Sequence, residues 1–279
     1  MELFKYFTFY AQITKNKFYW FIAQILTASV LELVSIGSEL LSGRTLNSHA
    51  QTLGAALARI GLRLSRDTTI PDEIETIQSA VREAFGRVDI AVVSGGLGPT
   101  SDDITRDALA GLFDCRTVMS PAGLDALHKR YAERGRAVTP AAERQALVLE
   151  GAETLINSAG AAPGERLDLP ESKTLFVLPG PPDEFTTIIE EHIIPWLRGQ
   201  FSDAVPLEVR VLTTANISES DIVTRLEADG FQSPGVSVGF YPGGGKVEIR
   251  LSAAYGHLDA LQAAEDTLQK LLRDKLVAD

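Results

Sequence analysis

The stretch Ser94-Gly95-Gly96-Leu97-Gly98-Pro99-Thr100-Ser101-Asp102-Asp103-Ile104-Thr105 carries the residue types and spacing that most directly suit chemistry. Glycines lack a Cβ, so a phosphate can approach the main chain. A helix opening just after them adds free N–H donors and partial positive charge. The amides of Gly95, Gly96 and Gly98 are the expected phosphate donors, with Thr100, Ser101 and Thr105 beside them. The spacing is not a P-loop, because no Gly-Lys-Ser/Thr follows. It is only a broken dinucleotide fingerprint, with Ser101 where the third glycine would stand. Asp102 and Asp103 would repel a phosphate unless a hard cation of the Mg²⁺ type lay between them and took oxygens from both. A helix cap plus an acid favoured by the helix dipole accounts for the same pair. On these residues alone both readings stand.

Three further segments belong with that loop. Asp72-Glu73-Ile74-Glu75 follows an expected strand and reads most simply as a capping box, with Asp72 at the cap. Asp72 would also sit at the sheet edge of the glycine loop. The loop from Gly37 through Glu39 and Arg44 to Asn47 and Ser48 follows the first strand, and its polar residues either hold a ligand or cap the next helix. Pro179-Gly180-Pro181-Pro182 ends another strand, with Glu184 just beyond. Ligands of open α/β sheets bind at the carboxyl ends of strands, so four loops at one edge are a stronger indication than any single residue. His49, His128, His192 and His257 show no metal-ligand spacing and read as surface or packing residues. Gly243-Gly244-Gly245-Lys246 reads as a hairpin turn, and no Gly-x-Ser-x-Gly elbow is present.

The elements that must position these groups alternate. Strands are expected at Leu31–Ile36, Leu62–Thr69, Val88–Ser94, Thr154–Asn157 and Leu175–Leu178. Helices are expected at Asn47–Ile60, from Pro71, at Asp103–Phe113, over Pro121–Leu149 and at Asp183–Leu197. This order implies a three-layer α/β/α sandwich with a mostly parallel sheet. After Gly199 a strand-helix-strand-strand-helix pattern forms a small α+β unit. The expected organisation is an N-terminal extension over residues 1–30, an α/β domain over 31–200 and the small unit over 206–279.

The 279 residues are 45% hydrophobic and 23% charged, with a formal charge of −11. That balance excludes disorder. It also argues against nucleic acid as a partner, since no basic run offsets the acidity. One cysteine, Cys115, permits neither an internal disulfide nor a Cys-rich zinc site. Nine of the twenty aromatic residues lie between Phe4 and Phe21. Lys5, Lys15 and Lys17 precede the apolar run Phe18–Val30. That run resembles a signal sequence and is short for a span of ~20 residues. With no linker before the first strand it reads as an extension, and the expected location is cytoplasmic without membrane attachment.

Several segments occur in order and together resemble the CinA (competence/damage-inducible) family from about Leu31 onward. They are Ile36-Gly37-Ser38-Glu39-Leu40-Leu41-Ser42-Gly43-Arg44, Gly95-Gly96-Leu97-Gly98-Pro99-Thr100 with Asp102-Asp103-Ile104-Thr105, Ala162-Pro163-Gly164, Leu178-Pro179-Gly180-Pro181-Pro182-Asp183-Glu184 and Ser218-Glu219-Ser220. The resemblance implies a molybdopterin-binding fold like MoaB and Mog, followed by a KH-like unit. It implies a glycine loop that binds a phosphate, and metal or catalytic carboxylates at Asp72 and Asp103, assisted by Asp102. It implies a divalent-metal-dependent (Mg²⁺, Co²⁺ or Mn²⁺) ADP-ribose pyrophosphatase and a homo-oligomer, a dimer first. No nicotinamide-mononucleotide deamidase activity is expected, because the chain ends before the domain that carries it in many relatives. Ser48-His49, Leu149, Ala161 and Asn216 depart from the family pattern, and His49 is the departure expected to bear on substrate identity. The KH-like unit has seven Lys/Arg against eleven Asp/Glu after Pro206, so RNA binding is not expected there.

The leading expectation is hydrolysis of a nucleotide diphosphate linkage, with Gly37, Glu39, Asn47, Ser48, Pro179, Gly180 and Glu184 around the ligand. Molybdopterin binding with adenylyl transfer is a second reading from the same residues. A non-catalytic nucleotide-binding regulatory module is a third.

Overall fold

The computed structural model describes residues 28–277. The reading of the N-terminal extension falls on residues before these. The chain divides into two compact units, Ser29–Ser202 and a second beginning at Asp203.

The first unit is an α/β sandwich. Its sheet runs in the order β2 (Leu62–Ile70), β1 (Ala28–Ile36), β3 (Ile90–Ser94), β8 (Lys173–Leu178), β7 (Gly164–Leu169), β6 (Glu153–Leu155). β1–β3 and β3–β8 are parallel, whereas β8–β7 and β7–β6 are antiparallel. β4 (Thr117–Met119) and β5 (Leu147–Leu149) form a separate antiparallel ribbon. The helices are α1 (Ser38–Leu41), α2 (His49–Ala58), α3 (Ile74–Phe85), α4 (Thr105–Phe113), α5 (Pro121–Glu133), α6 (Pro140–Glu143), α7 (Pro182–Ile188) and α8 (Ile194–Gln200).

Side chains alternate across a strand, and the burial follows that rule. Val34, Ile36, Ala91, Val93, Leu175 and Val177 pack with Ile77 and Val81 of α3 and Ala108 and Leu109 of α4. Leu31, Leu33, Ile90, Val92 and Phe176, at the intervening positions, are equally buried. On that second face Phe176 meets Trp196 of α8 edge-on, with ring centroids 5.3 Å apart. Burying one such side chain contributes roughly 1.5–3 kcal/mol.

Three expectations change. The segment expected to be helical over Pro121–Leu149 ends in strand β5, because its last residues, Leu147-Val148-Leu149, pair with β4. The helix expected over Asp183–Leu197 is two α-helical segments joined by a π-helical turn, Ile189–Ile193. Pro195 lacks an N–H, and its ring would crowd the carbonyl four residues before. A wider turn just ahead of it accommodates both defects. β7 is a strand that the sequence pattern does not predict, because GERLDL does not alternate cleanly between apolar and polar residues.

The second unit is a three-stranded antiparallel sheet ordered β10 (Ser237–Gly243), β11 (Lys246–Ala254), β9 (Leu207–Ala215), with α9 (Glu219–Asp229) and α10 (Leu258–Leu271). Its own core gathers Ile222, Leu226, Val247, Ile249, Leu251, Leu261 and Leu268. The glycine run is a hairpin turn, as expected. Gly243 pairs with Lys246, and Gly244 and Gly245 take φ of 59° and 76°. A two-residue turn of that hand matches strand twist. Among the described residues no helix is long and apolar enough to cross a membrane.

Candidate functional site

Parallel strands β1, β3 and β8 end on the same side, and the segments leaving them meet there. β2 lies on one flank of β1 and β3 on the other. That reversal of strand order opens a crevice at the carboxyl ends. A cleft of about 460 Å³ occupies it, lined from all four loops. Gly37, Glu39 and Thr45 come from the loop after β1, and Asp72 follows β2. Gly95 to Gly98 with Asp102 and Asp103 follow β3, and Pro179 to Pro182 with Glu184 follow β8.

Gly95 is the pivot. Its φ is +110°, and a Cβ there would lie 2.1 Å from the Ile36 carbonyl oxygen. Only glycine permits so close an approach of the β1 and β3 ends. Its amide is not free, since it donates to the Leu178 carbonyl at 3.0 Å. This corrects the expectation that Gly95 offers its N–H to a ligand.

The next three amides behave differently. The Thr105 hydroxyl donates to the Gly95 carbonyl at 2.7 Å. The Thr105 amide donates to the Gly96 carbonyl at 3.3 Å. Arg106 Nη1 donates to the Leu97 carbonyl at 3.2 Å. In a trans peptide the N–H points opposite to the preceding C=O. Pulling three consecutive carbonyls onto the start of α4 therefore turns the amides of Gly96, Leu97 and Gly98 away from it. None of the three has an acceptor among the described residues. Such a run of amides is suited to an anion. The sequence singles out the glycines and gives no sign of Leu97, whose side chain is buried in the core.

Neither carboxylate caps the helix that follows it in sequence. Asp72 Oδ2 accepts from the Ser38 amide at 2.8 Å and the Ser38 hydroxyl at 2.9 Å. The residue capping α3 is Glu73, with no side-chain cap bond. The capping-box reading of Asp72 is thus replaced by a tie between the β1 and β2 loops. Asp103 Oδ2 accepts from the Thr100 amide at 2.9 Å and the Thr100 hydroxyl at 2.6 Å. The cap of α4 is Ile104, again without a side-chain bond. The neighbouring Thr100 side chain and its own backbone amide place the exposed Asp102 carboxyl below its ordinary value.

Other expected residues do not line the cleft. Thr105 is buried with its hydroxyl committed to Gly95, and Thr100 serves the Asp103 carboxylate. Ser101 contributes nothing to the lining. Asn47 bonds Thr69 at 3.1 Å and accepts from the His49 amide at 3.1 Å, while Ser48 precedes α2 without a side-chain cap bond. The lining gains Ile36, Thr45, Leu97, Gln145, Ala162, Pro181 and Pro182, which carry no chemical signature in a one-dimensional reading. Glu184, half-buried, accepts from Asn157 Nδ2 at 2.6 Å, and burial pushes its carboxyl above the ordinary range against the pull of Asn157, Arg130 and Arg134. His49 lies behind the loops. It is buried, stacked on Phe185 at 4.0 Å, and its Nδ1 is 3.2 Å from the Ser94 hydroxyl. It does not line the cleft, which removes the reason to connect it with substrate identity.

The oxygens present suit a hard cation in part. Asp72 commits Oδ2 to Ser38 at the start of α1 and Asp103 commits Oδ2 to Thr100 of its own loop, and each keeps Oδ1 without a hydrogen bond among the described residues. No group of three or more His, Cys, Asp or Glu among the described residues converges as a ready-made cage. Mg²⁺ is ordinarily held by one or two carboxylates with substrate phosphates and water completing the shell. The donor set fits a cation of that kind arriving with a phosphate ligand.

The family model described as a probable molybdopterin binding domain matches residues 32–199, and the damage-inducible protein CinA KH domain matches 209–279. The chain belongs to the CinA-like proteins. A CinA-like protein of Nostoc is 34% identical over 243 residues, covering 87% of this chain and 57% of that one. A CinA-like protein of Gemmatimonas aurantiaca is 36% identical, covering 88% and 58%. The chain therefore spans somewhat over half the length of these relatives. A CinA structure of unknown function from Thermoplasma acidophilum superimposes with a TM-score of 0.51 at 29% identity, over 63% of this chain and 97% of that one. The α/β unit is thus the molybdopterin-binding-type fold, and the small antiparallel unit is the CinA KH domain.

Proposed function

We propose that the cleft hydrolyses a nucleotide diphosphate linkage in a divalent-cation-dependent reaction, with ADP-ribose as the substrate. The supporting observation is that Gly96, Leu97 and Gly98, whose amides have no acceptor among the described residues, line one cleft with Asp103 of the same segment and Asp72 of the segment after β2. An anion cradle beside paired acids is self-defeating without a cation and coherent with one.

Asp72 and Asp103 would hold the cation, with Asp102 beside them. Bound there, such a cation would neutralise charge on the diphosphate and lower the pKa of the attacking water. The three amides hold non-bridging phosphate oxygens and stabilise the charge that grows on them. Water adds its oxygen to one phosphorus, the bridging P–O bond breaks, and AMP and ribose 5-phosphate leave with the water's protons shared between them. Gly37, Glu39, Gly180 and Glu184 line the remainder of the ligand's path.

The test is ADP-ribose turnover with Mg²⁺, Co²⁺ or Mn²⁺ and after chelation. Wild type is expected to lose activity on chelation, and Asp103→Ala to fall at least about a hundredfold, the scale of losing one such electrostatic group. Equal rates for wild type and Asp103→Ala sink the assignment. Binding measured by calorimetry without turnover would instead support a regulatory module. The match to a molybdopterin binding domain favours a second reading, a pterin phosphate in the same cleft. Copurifying pterin fluorescence would select it.

A further inference from the structure

Beneath the glycine loop lies an ion pair that the cleft lining does not include. Arg106, in the first turn of α4, is 6% exposed, and Glu165 on β7 is fully buried. Arg106 Nε donates to Glu165 Oε1 at 2.6 Å, Glu165 Oε2 accepts from the Leu149 amide at 2.7 Å, and Arg106 Nη1 donates to the Leu97 carbonyl. Burial raises the Glu165 carboxyl against the pull of Arg106.

We propose that Arg106, fixed by Glu165, is a positioning residue that aims the Gly98 amide at the phosphate. The reasoning is geometric. The Leu97–Gly98 peptide is trans, so its C=O and N–H point in opposite directions. Holding the Leu97 oxygen on the core side presents the Gly98 N–H on the cleft side. The pair sits poorly as a stabilising device alone. Arg106 Nη2 is buried without a hydrogen-bond partner among the described residues, and a bidentate fork on the carboxylate would have satisfied it. The guanidinium instead splits its donors between Glu165 and the loop. β5, through Leu149, and β7, through Glu165, thereby set the loop's orientation.

This inference rests on the phosphate reading of the cleft. The test uses calorimetry with inorganic pyrophosphate and with ADP-ribose at fixed Mg²⁺, and amide NMR shifts of Gly96, Leu97 and Gly98. Replacing both partners by apolar residues, Arg106→Met with Glu165→Leu, often leaves stability intact. That double variant leaves the buried Leu149 amide unpaired and is expected to melt somewhat lower while staying folded, to weaken pyrophosphate binding about tenfold (the loss of one charge-assisted amide bond) and to lose the ligand-induced shift at Gly98. Arg106→Lys keeps a cation against Glu165 without the planar reach to Leu97, and the same loss is expected. It carries the comparison where the double variant melts early. A folded Arg106→Lys or double variant with wild-type affinity and an unchanged Gly98 shift overturns the inference while leaving the cleft reading intact. Wild type that binds neither ligand overturns both.

Discussion

His49 is a base placed where protonation is costly. Burial beside Phe185 lowers its pKa from the ordinary 6.5, and the hydrogen bond with the Gly180 backbone opposes this only in part. Below pH 6.5 the unfolded chain takes up a proton that the folded chain refuses. The unfolded state then binds more protons, so stability falls as pH drops through 6.5 toward the lower folded value. The slope contributed is at most about 1.4 kcal/mol per pH unit. Urea unfolding at pH 7.5 and 5.5 is expected to show this loss in wild type and a shallower one in His49→Asn. Identical pH dependence in the two proteins would refute the role. Asp72 teaches a related point at the same scale. Its sequence context suits a helix cap, yet its oxygen is taken by Ser38, thirty-four positions away along the chain. No local pattern encodes that bond.

Among the elements, the joint between β1, β3 and the glycine loop decides the site. Gly95→Ala would force a Cβ against the Ile36 carbonyl at a φ that L-residues rarely adopt. Strain of this kind costs about 1–3 kcal/mol, and the required backbone shift adds to it. A loss of about 3 kcal/mol or more is expected by urea denaturation, together with loss of ligand affinity. Gly199→Ala is the control. Gly199 lies in α8, and a Cβ there would meet nothing within 4 Å, so alanine should gain up to about 1 kcal/mol. Equal effects at the two sites would contradict this account of Gly95. The parallel strands were legible because buried strands such as Ile90–Ser94 are continuous apolar runs. β7 was not, because Glu165 in its interior is compensated by Arg106, fifty-nine residues away. A buried charge looks like a surface charge until its partner is known.

For the whole molecule, two separate cores imply two units whose stability is largely their own. Every residue lining the cleft belongs to Ser29–Ser202. A chain comprising residues 28–202 is therefore expected to melt cooperatively and bind ADP-ribose within about threefold of the full chain, a margin under 1 kcal/mol. A large loss of affinity in that shorter chain would show that the KH unit contributes to the site. The sequence alone sufficed for the alternation of elements, the gathering of four loops at one sheet edge and the family, because periodicity and glycine spacing are local properties of the chain. Which amides turn toward the cleft, which carboxylate oxygens stay free and where Arg106 finds its partner were decided only by tertiary structure. Those depend on carbonyl directions and on contacts between residues far apart along the chain, and a linear pattern contains neither.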